Sequence, residues 1–290
     1  MCGSMTIGQT VSKTKAALAA AAVLALPGVA SAQAADTYYE RAFVVAADAR
    51  CNLFAPHIDA ALNAATAQAR GAALRSGAAE AELLAAAGRA RARAASVSCR
   101  DPQLATVRAR VDVAFAGWLR MPRMVFPGTR RSWAANRISS TDASWRLHQM
   151  SMVGASPVAF GYAGKGAAPG LTAVVSFVGR SRPYAARVVL RDPVRVQRPW
   201  LAGDGLAPVS ARASLWATGV SAADPTLLAA ERRTGEAWHF PATVAAALER
   251  LDPRETFAIE FHFRDGSVAT AKFEAGDFTA GRAFLAMGML

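Results

Sequence analysis

Residues 51–99 read CNLFAPHIDAALNAATAQARGAALRSGAAEAELLAAAGRARARAASVSC, and this stretch decides the fold of the first half of the chain. Pro56 suits the first turn of a helix, where its missing N–H costs nothing. Ile58, Leu62, Ala65, Ala69 and Ala72 then recur at helical spacing, until Ser76-Gly77 breaks the pattern. Leu83, Ala87, Ala90, Ala94 and Val97 repeat it on the way back. Two legs of roughly 19 residues span about 28 Å each at 1.5 Å per residue. One leg out and one leg back return Cys99 to Cys51. The pair reads as a disulfide closing an all-helical unit. Alanine seams let backbones approach closely but bury little apolar area per residue, which gives the staple a physical purpose.

Working outward, Thr37 and Glu40 have capping-box spacing, which places the start of a first helix at Thr37, with Tyr39, Phe43, Ala46 and Leu53 on one face. Asp101 and Pro102 open a fourth helix. Its stripe of Leu104, Val107, Val111, Phe115 and Trp118 reads as the core of a four-helix unit, and Pro122 ends it. Arg89, Arg91 and Arg93 read as a solvated face.

Upstream lies an export signal. Lys13 and Lys15 precede an apolar run from Ala16 to Val29, and Ala30-Ser31-Ala32 offers small residues for cleavage after Ala32, with Ala34 as a second site. The run is about 14 residues, short of the ~20 that span a bilayer. Nothing after residue 35 is apolar enough to span one. Cys51 and Cys99 are the cysteines of the mature chain, as expected in an oxidising compartment. The expected location is the periplasm or the exterior.

Beyond residue 140 the periodicity changes. Leu171–Val178, Ala186–Leu190, Ala211–Trp216 and Glu236–Phe240 read as strands, and Val244–Leu251 as a short helix stopped by Asp252-Pro253. From Thr256 to Glu274, Phe257, Ile259, Phe261 and Phe263 alternate with Ala258, Glu260, His262 and Arg264. Asp265-Gly266 then supplies a hairpin turn. Asp277 caps a last helix carrying Phe278, Phe284 and Leu285. The expected class is α+β: a disulfide-stapled helical bundle followed by an antiparallel β-sandwich-like domain with short helices. The expected organisation is a signal peptide at 1–32, a helical domain at 35–124, a linker at 125–140 and a β-rich domain at 141–290.

The end of the chain, a short helix, a strand, a Gly turn, a strand and a helix bearing Phe278-Thr279-Ala280-Gly281, resembles the end of the invasion-associated locus B family of exported bacterial proteins, without that family's further cysteines. The whole chain resembles uncharacterised exported proteins of Gram-negative bacteria. That resemblance implies a compartment and no reaction, and it assigns no functional residue.

Catalytic motifs fail one by one. Gly161-Tyr162-Ala163-Gly164-Lys165-Gly166 lacks the spacer and the Ser or Thr of a phosphate loop. There is no GxSxG elbow. The four histidines, His57, His148, His239 and His262, are far apart, with no HExxH, so neither a metal site nor a cofactor is expected. Glu80/Glu82 and Asp252/Glu255 fit helix-end electrostatics. Trp238, His239 and His262 are the candidate binding residues: both histidines sit on expected strands and would share a face if those strands were neighbours. Trp200 and Trp216 are further groove candidates.

The formal net charge is +12, falling to +10 when Lys13 and Lys15 leave with the signal, and almost all of it is arginine. The arginines are scattered rather than striped with aromatics, and this, with export, excludes a nucleic-acid reader. An anionic envelope polymer or an envelope protein is the expected partner of a non-enzymatic binding module. The alternatives are an envelope hydrolase using His148, His239 or His262, and a carrier of a small apolar ligand.

Overall fold

The computed structural model describes residues 27–166, 169–179, 181–202 and 205–290. Most of the expected signal, residues 1–26, lies outside the described residues, and Ala32 falls on the backbone of the first helix. Four helices come first: α1 (Pro27–Cys51), α2 (Pro56–Arg75), α3 (Glu80–Ser96) and α4 (Pro102–Leu119). Among the described residues, no helix is long and apolar enough to cross a membrane.

Helix α1 does not begin at Thr37. The Thr37 hydroxyl donates to the Gln33 carbonyl at 2.9 Å, a bond back into its own helix that a continuous alanine-rich turn provides. Asp101 does cap α4, accepting from the Gln103 N–H at 2.8 Å. The Cys51–Cys99 disulfide is present, with Cα atoms 5.4 Å apart. Beside it, Arg50 donates to the carbonyls of Ala95 and Val97 at the end of α3, where a cation meets the negative end of the helix dipole.

The two alanine legs pack chiefly on α1 rather than on each other, meeting at a small shared cluster and the Arg70–Glu80 ion pair. Both α2 and α3 pack on α1, and α2 also packs on α4 and on the last helix of the chain. This internal position explains why α2 is buried around most of its circumference, from Ile58 to Leu74. Helix α4 is peripheral. Only Leu104 and Phe115 of its stripe are buried, and Val113 is exposed.

The remaining elements are β1 (Arg123–Phe126), β2 (Trp133–Asn136), β3 (Ser144–Val153), β4 (Ser156–Gly164), β5 (Gly170–Val175), β6 (Ala185–Arg191), β7 (Arg212–Trp216), β8 (Gly219–Ala222), β9 (Glu236–Phe240), α5 (Ala242–Leu248), β10 (Thr256–His262), β11 (Val268–Glu274) and α6 (Phe278–Leu285). They build a seven-stranded sheet, β1-β2-β3-β4-β5-β9-β8, and a four-stranded sheet, β11-β10-β6-β7. Every pairing is antiparallel.

The stretch 125–140, expected as a linker, holds the end of β1 and all of β2. Phe126 of β1 faces Trp133 of β2, and the Trp133 indole, fully buried, donates to the Ala275 carbonyl at 2.9 Å. Pro127-Gly128 opens the six-residue loop, 127–132, that joins the two strands, and such loops share their residue chemistry with linkers. One hydrophobic core joins the two halves. Phe54, Ile58 and Leu62 from the helices share it with Phe126, Trp133, Phe160, Phe257, Phe273 and Phe284. Phe160 of one sheet meets Phe257 and Phe273 of the other at ring distances of 5.6 and 5.7 Å.

The two sheets also touch along a polar seam. The Gln149 amide on β3 donates to the Glu274 carbonyl at 3.2 Å and accepts from the Glu274 N–H at 2.8 Å, and Ser151 donates to the Lys272 carbonyl at 2.6 Å. Side chains thereby satisfy the open edge of β11.

Candidate anion-binding cleft

A cleft of about 550 Å³ opens where α2, the β1–β2 loop and the four-stranded sheet converge. Its lining brings together Arg75, Arg130, Arg131, Arg254 and Lys272 around one carboxylate, Glu274. Thr129, Leu201 and Thr256 complete it.

Several local devices place the cations. Arg75 ends α2 and is fixed by a two-pronged ion pair to Asp277, with both bonds at 2.8 Å. Asp277 stands at the N-cap of α6 but makes no capping bond, because its two oxygens serve Arg75. Burial raises the Asp277 carboxyl above its ordinary value, and Arg75 opposes that shift. Arg254 is held by Asp252 through Nε at 2.9 Å and Nη2 at 2.8 Å, which raises its pKa. Arg130 and Arg131 are carried by a tight loop whose backbone N–H groups donate to Glu274 at 2.9 and 3.2 Å. That loop needs Gly128. A Cβ there would lie 2.3 Å from the Arg131 carbonyl oxygen and 2.5 Å from Glu274 Oε2. Lys272 extends from the exposed face of β11.

The Asp252/Glu255 pair is therefore not a helix-end device. Asp252 orients Arg254, and Glu255 binds Arg191 through Nε at 2.6 Å and Nη2 at 2.8 Å, with both side chains buried. Of the other pair, Glu82 does serve a helix start, accepting from the Ala79 N–H at 3.3 Å, and Glu80 pairs with Arg70.

The candidate residues read from the sequence are dispersed. Trp238 is core: it is 3 % exposed, and its ring lies 6.4 Å from Phe261. His239 is exposed on β9 of the seven-stranded sheet, whereas His262 lies on β10 of the four-stranded sheet. The strands pair with different neighbours, so the two imidazoles share no face. His239 meets Ser221 Oγ at 3.0 Å, but its other ring nitrogen faces the Thr172 hydroxyl at 3.5 Å, not a carboxylate that would stabilise an imidazolium.

His148 lines a separate groove with Met121, Val125 and Trp145. Its Nδ1 is buried without a partner, and burial lowers its pKa. Among the described residues, no group of three or more His, Cys, Asp or Glu side chains is arranged to hold a metal ion.

Sequence reading missed the cleft because its cations lie on segments far apart in the chain. The adjacent Arg130-Arg131 after Pro127-Gly128 was the one local signal. Compared with protein-family models, curated proteins and solved structures, the chain matches none.

Proposed function

We propose that this chain is an exported, non-enzymatic envelope protein that binds an anionic polymer in the basic cleft. The observation that carries the proposal is the convergence of Arg75, Arg130, Arg131, Arg254 and Lys272 on one concave site. Guanidinium groups present planar donor forks suited to carboxylate and phosphate oxygens. The lining holds five cations against the one carboxylate of Glu274, with Asp277 and Asp252 pairing Arg75 and Arg254, and a concave surface of net positive charge focuses the field on an incoming anion. The reading takes the sheets as a β-sandwich-like body, the helices as its stapled bundle, and cleavage after Ala32 as the route to the periplasm.

The test is a titration of the purified protein with polyphosphate and with an oligouronate at low and at physiological salt. Binding should weaken as salt screens the cleft. Arg131→Glu combined with Lys272→Glu should weaken binding of both polyanions by about tenfold or more, since a like charge replaces an attractive one at each site. Absence of binding, or binding indifferent to both charge reversals, sinks the proposal.

A further inference from the structure

The outer face of the four-stranded sheet continues directly from the cleft. Thr256 and Glu274, which line the cleft, are register partners. The next row on the same face is Lys272, Ala258, Val189 and Ser214, where Ala258 and Val189 are buried, so the exposed path from the cleft runs over Lys272 and Thr270 of β11. Beyond it come Thr270, Glu260, Arg187 and Trp216, and then Val268, His262 and Ala185. Two residues along a strand advance about 7 Å, so the Trp216 row lies roughly 14 Å beyond the Thr256 row.

That far row is an aromatic platform. Trp216 is 48 % exposed and Tyr184, just before β6, is 61 % exposed. The Arg187 guanidinium lies 5.2 Å from the centroid of the Trp216 ring and pairs with Glu260 at 2.8 Å. The His262 ring stands 5.2 Å from Trp216 and 6.4 Å from Tyr184. Exposed rings beside a fixed donor and a fixed acceptor suit a pyranose. Its C–H face stacks on an aromatic ring, and its hydroxyls both donate and accept hydrogen bonds. Glu260 argues against a polyanion that has no hydroxyl groups to donate, such as a polyphosphate. A carboxylate on the platform repels such a chain but accepts hydroxyl protons.

We infer that the polymer is an acidic polysaccharide, lying along the outer face of the four-stranded sheet with an anionic group in the cleft and a sugar ring on Trp216. The inference rests on the anion-binding reading of the cleft and adds the class of ligand.

The experiment uses the full mature chain, an oligouronate and polyphosphate, with Trp216→Ala, Trp216→Phe and Tyr184→Ala variants. Trp216→Ala should weaken oligouronate binding about tenfold, the scale of losing one stacking ring, and leave polyphosphate binding unchanged. Trp216→Phe, which keeps a ring, should restore most of the loss, and Tyr184→Ala should weaken the oligouronate alone. If the oligouronate binds and neither Trp216→Ala nor Tyr184→Ala weakens it selectively, the platform is overturned and the cleft reading stands. If neither polyanion binds the unaltered protein, both readings fall.

Discussion

Arg75 and Asp277, 202 residues apart in the chain, close a two-pronged ion pair that ties the end of α2 to the start of α6. The Asp277 side chain is fully buried, so the pair joins the helical and sheet halves through a charge that has lost its water. Removing the cation alone by Arg75→Met should cost about 3–5 kcal/mol, because it strands a buried carboxylate. The deficit should shrink at acid pH, where Asp277 protonates, and on adding Asp277→Asn. Urea unfolding at neutral and acid pH checks both. Gly71 belongs to the same device. A Cβ at Gly71 would lie 1.9 Å from Asp277 Oδ1. Gly71→Ala should therefore destabilise the protein, although alanine is favoured over glycine by about 1 kcal/mol inside a helix.

The staple has a measurable worth. A 48-residue separation between Cys51 and Cys99 corresponds to about 4 kcal/mol of loop-closure entropy. Cys51→Ser with Cys99→Ser should lower the unfolding free energy by that order. Adding reductant to the unaltered protein should reproduce the loss, and an unchanged urea midpoint would contradict the assignment.

Glu255 supports a long connection from beneath. Besides Arg191, it accepts from the Asp252 N–H at 2.8 Å and the Trp200 N–H at 3.0 Å. Glu255→Gln leaves the buried Arg191 without its counter-charge and should cost about 3–5 kcal/mol. The Trp200 amide should exchange hydrogen faster in the variant, a local effect that general destabilisation of remote helices would not select.

His148 predicts a pH dependence with a definite sign. Burial lowers its folded pKa below the ordinary 6.5. Between those values the unfolded chain binds the extra proton. The contribution of neutral His148 is therefore complete above 6.5 and is lost as pH falls through the lowered folded value. His148→Leu should flatten the stability profile in that window. Subtracting the two profiles cancels other groups, including Asp277, whose raised pKa acts in the opposite direction. Parallel profiles would refute the assignment.

Local signals carried the hairpin of β10 and β11, where aromatic alternation and Asp265-Gly266 act over neighbouring residues. Strands β3 and β4 were hidden. The inner face of β3 carries Gln149 and Ser151, polar residues that are buried because they bond the edge of β11. A bulge between Trp145 and Leu147 also breaks the alternation. Trp133 sits among turn residues that look like a linker, and only its partners across the core reveal the strand.

The sequence by itself determined what depends on short-range chemistry: the helix periods, the Cys51 and Cys99 positions, the hairpin turn, the strong positive charge and the lack of recognised catalytic motifs. Only the tertiary structure decided which helices touch, that His239 and His262 stand on different sheets, and that Arg75, Arg131, Arg254 and Lys272 meet. The physical reason is that periodicity fixes which face of an element is apolar, whereas convergence of charges depends on how separate elements dock. In this chain, that docking is set by a shared aromatic core and by buried ion pairs between residues far apart in the sequence.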